Sequence, residues 1–389
     1  MIPLHDAEQN LKAIPVFPAT EKIPLQECTG RILAEPVTSP IDMPPFHKSA
    51  MDGYALKSED PSKEYKVIEV IPAGTIPQQE IHNGECAKIM TGAMLPPGAD
   101  RVVKVEVTEE KNRIMRLTGT DPNRNICYKG EDLKTGDRVL SPGIQIRPQE
   151  TAVIASMGKA MVLVYKSPVV GIIATGSELV MPGATLGRGQ IYNSNSFSLA
   201  AQVQALNAQT VVHGVAVDTE ADIKNAITSL EKSCSVILLS GGVSMGDYDL
   251  VPGILKSLGV QISFEKVAIK PGKPALFGTK EHRYYFGVPG NPVSTFVIFE
   301  ILIKPLLYRI MAHTYVPLII RSKLEKPIKR KRANRSAFIP VKYRNGKVST
   351  IEYHGSAHIH ALTKANGLVH IPQGIHELRE GEEVDVRIL

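Results

Sequence analysis

The chain has 389 residues, 43% of them hydrophobic and 22% charged, with a formal net charge of +6. That length allows more than one core, roughly two to three domains, and no apolar stretch is long and uncharged enough to span a bilayer. The charge hints at nucleic acid until it is mapped: residues 321–335, RSKLEKPIKRKRANR, hold eight bases and one acid, so this strip carries +7 and the remainder −1. With no Trp and only 5% aromatics, the chain lacks the stacking residues that a nucleic-acid face needs.

The first residues, MIPLHDAEQNLKAIPVF, have no basic start followed by an apolar core, which predicts no secretory leader and a cytoplasmic protein. Four separated cysteines, Cys28, Cys86, Cys127 and Cys234, form no CxxC pair, which argues against a disulfide framework and a structural zinc site.

The N-terminal third alternates Pro and Gly with short β-type runs, KVIEVIPAG at 66–74, CAKIMTGAMLPPGADRVVKVEVTEE at 86–110 and RIMRLTG at 113–119, predicting a small β-rich region. Within it, DMPPFHKSAMDGYAL at 42–56 reads as a stiff surface loop presenting Ser49 and Asp52 beside two prolines. Residues 136–168 hold a turn, a Pro-led helix from 148 and a strand, a connector between lobes.

From 168 onward strands and helices alternate. VVGIIATGSEL at 169–179 is a buried strand and turn, 194–209 a capped amphipathic helix, 210–217 a strand and 218–233 a second helix. The strand VILLSGG, a helix near 250–258, the strands FEKVAIK and YYFGVP and an apolar helix from 293 to about 311 follow. Such βα units predict a parallel sheet with helices on both faces, with ligands at the carboxyl ends of the strands. After the basic strip, 338–353 predicts a hairpin turned at Asn345 and Gly346, and two more strands complete a small β domain.

VILLSGGVSMGDYD at 236–249 runs an apolar strand into glycines, a serine and two aspartates, the residue types that hold an anion on backbone N–H groups and a divalent cation on carboxylates. Taken alone it also fits a plain loop in which Gly241 and Gly242 only turn the chain. Its neighbours decide: TGSE at 175–178, GQIYNSNS at 189–196, VDTEAD at 217–222, KPGKP at 270–274 and PGNPVS at 289–294 converge, by the sheet rule, on one rim. Lys266, Lys270 and Lys273 supply positive charge and Glu178, Asp218, Asp247 and Asp249 negative charge, which suits a polyphosphate with Mg²⁺ between carboxylates. HGSAHIHAL at 354–362 holds His354, His358 and His360, which fits a loop cluster better than a metal site.

PPFHKSAMDGYA, KIMTGAMLPPGAD, NICYKGED, ATGSEL, GQIYNSNS, LLSGGVSMGDYD, VAIKPGKP and GVPGNPVS, in this order, resemble the molybdopterin molybdenumtransferase family, which includes the enzyme domain of gephyrin. The resemblance spans essentially the whole chain and implies a homodimer of elongated L-shaped α/β multidomain subunits. It implies a connector at 1–40 and 128–166, an inserted β-rich domain at 41–127, a doubly wound α/β molybdopterin-binding domain at 167–312 and a C-terminal β barrel at 313–389. The implied reaction inserts molybdate into adenylyl-molybdopterin and releases AMP with Mg²⁺. Molybdopterin adenylyltransferase and apo-molybdoenzymes become implied partners.

Motif by motif, the resemblance implies a pterin-phosphate pocket of Ser240, Gly241, Gly242, Ser244, Lys266, Lys270, Lys273, Pro289, Pro292 and Ser294. It places Glu178, Asp218 and Asp249 as metal ligands, Glu178 and Asp218 doubling as catalytic residues. Ser49, Asp52, Thr91, Asp132 and the 44–54 loop complete the site from the partner subunit. One departure stands out: the family's PPFDNSAMDGYA here has His47 and Lys48 for the Asp-Asn pair. Three readings follow: His47 serves as a neutral ligand or base, the added cations strengthen oxyanion capture, or catalysis is weakened and the protein acts mainly as a binder. Two alternatives to the transferase remain, a molybdopterin adenylyltransferase and a scaffold or chaperone that holds the cofactor.

Overall fold

The structure, a computed structural model, describes residues 1–243, 250–353 and 355–389. The chain forms two compact units, one of Met1–Ala34, Gly143–Arg147 and Met161–Leu389, the other of Glu35–Pro142 and Pro148–Ala160.

The second unit is built on a six-stranded sheet in the order Arg101–Lys104, Gly53–Leu56, Glu85–Ile89, Glu64–Ile71, Ile114–Leu117, Thr108–Lys111. Successive side chains on a strand face opposite ways, and both faces are covered. Tyr54, Leu56, Cys86 and Val103 enter one core, while Ala55, Ala87, Ile89 and Val102 enter the other.

In the first unit, β1 (Val169–Thr175), α1 (Asn195–Gln204), β2 (Gln209–Ala216), α2 (Glu220–Glu231), β3 (Val236–Ser240) and α3 (Val251–Ser257) alternate. Then come β4 (Gln261–Phe264), β5 (Leu276–Lys280), β6 (Arg283–Val288) and α4 (Pro292–Ile298). The strands order as β2-β1-β3-β6-β5-β4. Alternate residues of the buried strands serve opposite layers: Val170 and Ile172 of β1 pack with Leu199 and Val203 of α1 and Val293 and Val297 of α4, whereas Ile237 and Leu239 of β3 meet Ile223 and Ile227 of α2 and Leu255 of α3. Each such side chain, fully buried, stabilises the fold by about 1.5–3 kcal/mol. Helix entry is local: Thr219 accepts the Asp222 amide at 3.2 Å ahead of α2. At α1 the Ser196 amide is capped by Asn193 Oδ1 at 3.1 Å rather than by Ser194.

The sheet is not wholly parallel. The neighbours β2, β1, β3 and β6 are parallel, but β5 runs antiparallel to β6 and β4 antiparallel to β5. Only Glu281 and His282 separate the Lys280–Arg283 pair, too few residues for the crossover that a parallel connection needs. Nor is FEKVAIK one strand. Ile2 donates its amide to the Lys266 carbonyl at 2.9 Å and accepts the Ala268 amide at 2.8 Å, which breaks the run, and Ile269–Lys270 pairs instead with Ser336 and Ala337. The apolar helix continues from α4 through a wide π turn, Phe299–Ile303, into Lys304–Ile310. Pro305 there has no amide to donate, and the wider turn accommodates the missing bond.

Beyond it, β7 (Ile319–Leu324), β8 (Ser336–Arg344), β9 (Lys347–Thr350), β10 (Gly367–Ile371) and β11 (Glu383–Ile388) close into a five-stranded barrel, with pairings β8-β9-β7-β11-β10-β8. Asn345 (φ 52°) and Gly346 (φ 74°) turn the β8-β9 hairpin in the left-handed region that such two-residue turns require. Part of the basic strip is tied down locally. Arg321 meets Glu383 at 3.3 Å and Lys329 meets Glu377 at 3.2 Å. Arg330 spends its guanidinium on the carbonyls of Ile375, Arg335 and Pro372.

Candidate functional site

The strands β1, β3 and β6 end at Thr175, Ser240 and Val288, and the loops beyond them surround a cavity of about 660 Å³. Of the predicted residues, Glu178, Asp218, Ser240, Gly241, Gly242, Pro289 and Pro292 line it. Asn195, the first residue of α1, ties two of these loops together, donating from Nδ2 to Ser240 Oγ at 2.8 Å and to the Gly290 carbonyl at 2.7 Å. Its Oδ1 and the hydroxyl of Thr175 are shielded from water and have no hydrogen-bond partner among the described residues. Two unmet polar atoms in one cavity wall are what a polar ligand or ordered water would answer.

Gly241 explains why the β3 loop can lie so close. At φ +98° it sits where side chains are strained, and a Cβ there would stand 2.4 Å from the Thr175 carbonyl oxygen. Two carboxylates lie against the β1 loop. Asp218 Oδ2 accepts the Ser177 amide at 2.9 Å, and the Glu178 carboxyl lies over Gly176, 2.6 Å from where a Cβ would be. Both are hard oxygen donors, the set that suits Mg²⁺. Among the described residues no group of three His, Cys, Asp or Glu side chains is placed to hold a metal. Ser244 and Asp249, and likewise Asp247 and His354, lie outside the described residues.

The lysines stand differently. Pro274 of KPGKP reaches the cavity wall, whereas Lys266, Lys270, Lys273 and Ser294 are not among its lining residues. Lys270 and Lys273 are exposed, and Ser294 is buried in the first turn of α4. Thr175 and Asn195 belong to loops that the sequence points to, yet nothing in their residue type singles them out. Ala357 and Ile359 reach the wall from the C-terminal region and carry no local signal at all.

In the other unit, His47, Ser49, Asp52 and Thr91 gather in the loops at one end of the neighbouring strands Gly53–Leu56 and Glu85–Ile89. Ser49 donates its hydroxyl to the Met51 carbonyl, and its own carbonyl accepts the Gly92 amide at 2.8 Å. Asp52 Oδ1 accepts both the hydroxyl and the amide of Thr91, which hold its carboxyl below the usual range, the hydroxyl more than the amide. His47 Nδ1 accepts the Lys129 amide at 3.0 Å, and its ring meets Tyr128 edge-on at 5.6 Å. A neutral ring accepting at Nδ1 carries its hydrogen on Nε2, so in this arrangement His47 presents a donor rather than a free base. Asp132 is exposed, and its amide donates to the Met43 carbonyl at 3.0 Å.

A doubly wound lobe whose glycine loops, carboxylates and unmet polar atoms face one cavity at the carboxyl rim defines an α/β protein that seats a polar ligand there. The chain belongs to the molybdopterin molybdenumtransferase (MoeA) family. Residues 2–158 match the MoeA N-terminal region (domain I and II), 171–309 a probable molybdopterin binding domain and 321–389 the MoeA C-terminal region (domain IV). It is 34% identical to a molybdopterin molybdenumtransferase of Haemophilus influenzae, over 99% of this chain and 98% of that one. With a Staphylococcus aureus protein of the same name it shares 33% identity, over 99% and 95% of the two chains. The crystal structure of a molybdopterin biosynthesis MoeA protein from Pyrococcus horikoshii superposes over 100% of both chains with a TM-score of 0.86 at 32% identity.

Proposed function

We propose that this protein inserts molybdenum into molybdopterin as a step of molybdenum cofactor biosynthesis, taking molybdate and adenylyl-molybdopterin and releasing AMP with Mg²⁺. The observation that carries this reading is the cavity at the ends of β1, β3 and β6, where Glu178 and Asp218 share a wall with the unmet Thr175 hydroxyl and Asn195 Oδ1. Glu178 and Asp218 would hold Mg²⁺, which supplies charge neutralisation at a phosphoanhydride. The Gly241–Gly242 turn lets backbone come close to a phosphate, and Asn195 holds the Ser240 and Gly290 loops at a set separation. The Thr175 hydroxyl and Asn195 Oδ1 have already lost their water, so a hydrogen bond supplied to either would offset a desolvation cost already present in the fold.

The protein works, in this reading, as a cytoplasmic homodimer in which Thr91, Asp132 and the 44–54 loop of one copy serve the cavity of the other. No helix among the described residues is long and apolar enough to cross a membrane, which accords with that compartment. A molybdopterin adenylyltransferase would supply the substrate and apo-molybdoenzymes would accept the product.

The test is incubation with adenylyl-molybdopterin, Mg²⁺ and molybdate. AMP release that depends on molybdate and is lost in Asp218→Asn is expected. Tight binding of the nucleotide with no such release would instead make the protein a cofactor-holding scaffold. Mixing the inactive Asp52→Asn and Asp218→Asn proteins checks the dimer: recovered turnover is expected, and none would leave each copy acting alone.

A further inference from the structure

At the opposite rim of the same sheet, where β1 begins at Val169 and β3 at Val236, lies a second cavity of about 280 Å³. It is removed from the site above by the full length of those strands. One wall is aromatic. Phe17 is 54% exposed, a large apolar ring left open to water, and it meets the His282 ring edge-on with centroids 4.1 Å apart. Pro168, Ile310 and Tyr284 also line it, and the Tyr284 hydroxyl donates to the Pro15 carbonyl at 2.9 Å.

The rest of the lining mixes Ala19 and Val169 with Lys166, Ser167, Ser233 and Ser235. Lys166 is exposed at the edge, and no carboxylate is among the lining residues. The hydroxyl of Ser167 is shielded from water and has no hydrogen-bond partner among the described residues, so it is no contact for a ligand. The Lys166 ammonium on this lining asks for an acceptor that carries negative charge, and the Phe17 and His282 rings ask for a flat ring. The volume is near the lower end of the range for small-molecule pockets, which limits the occupant to about one ring with one substituent.

We propose that this cavity binds a small aromatic carboxylate, its ring against Phe17 and His282 and its carboxylate toward Lys166. The site is independent of the molybdenum-transfer reading and uses none of its residues.

Benzoate is the probe, with ligand-observed saturation-transfer NMR on the full chain as the readout and benzamide as the uncharged control. Saturable benzoate binding is expected with a Kd of order 1 mM, as befits so few atoms. Benzamide should bind more weakly, and Lys166→Glu and Phe17→Ser should each weaken benzoate about tenfold or more, consistent with removing a charge-assisted contact or an aromatic wall. No saturable binding below about 50 mM would overturn the proposal, as would an affinity that neither substitution changes. Should Phe17→Ser fail to fold, Lys166→Glu alters only an exposed side chain and decides the matter alone.

Discussion

Asp52 receives two hydrogen bonds from a single residue: the amide and the hydroxyl of Thr91 each donate to its Oδ1 at 2.7 Å. The carboxyl is thereby held below its ordinary range. A group depressed in the folded state contributes stability that is fully present above the unfolded value, about 3.9, and lost as the pH falls through the folded one. Thr91→Val removes the hydroxyl, the larger cause, and keeps the amide. Carboxyl ¹³C NMR is expected to show the Asp52 midpoint rising toward the ordinary value; a midpoint unmoved by the substitution would contradict this account.

The bond from the Lys129 amide to His47 Nδ1 anchors the segment that carries Tyr128 and Asp132. His47→Leu removes the acceptor; if the segment serves the site as proposed above, turnover is expected to fall by roughly tenfold, the rate equivalent of about 1.4 kcal/mol of lost positioning. His47→Asn, whose side-chain oxygen can accept the same amide, should retain most of the activity. Steady-state rates of the two variants separate anchoring from charge, because neither side chain titrates.

Gly241→Ala sets a methyl group 2.4 Å from the Thr175 carbonyl at a φ of +98°. A strained residue costs about 1–3 kcal/mol by conformation alone, and here the backbone of β1 must also move. Thermal denaturation should show the loss of stability, and titration with AMP should show weakened binding. Wild-type values in both measurements would mean that the loop adopts another course.

Arg330 holds three carbonyl oxygens with one planar fork. Lysine keeps the charge but cannot reproduce that geometry. Arg330→Lys is expected to destabilise the protein by about 2–4 kcal/mol, since bonds from a charged donor contribute about 1.5–3 kcal/mol each and at least one carbonyl would be left unserved. Chemical denaturation measures it directly.

Local signals in the chain are read correctly where the physics is local. VILLS is a buried strand because all five residues are apolar or small, Thr219 caps its helix, and Asn345–Gly346 turns its hairpin. The family motifs of the α/β lobe, ATGSEL, GQIYNSNS, the LLSGG turn and GVPGNPVS, likewise point to loops that line one cavity. What sequence does not reveal depends on partners far along the chain. The Lys266–Ala268 backbone is claimed by Ile2, more than 260 positions away by numbering. The +7 strip loses part of its apparent meaning once Glu383 of β11 and Glu377 lie beside it. The unmet hydroxyl of Thr175 is invisible until its surroundings are known, because threonine at the end of a buried strand is ordinary.

The two-residue strand Ile269–Lys270 has a mechanical corollary. It leaves the α/β sheet after β4, lies along β8 and returns to form β5, while Phe338 of β8 and Leu368 of β10 sit in the core that α1 and α4 also fill. The barrel is therefore woven into its neighbour and is no detachable appendage. A truncation that ends the chain near residue 315 would strip one side of the turn bearing Lys270 and Lys273, and calorimetry of the intact protein should register the lobe and the barrel melting as one cooperative endotherm.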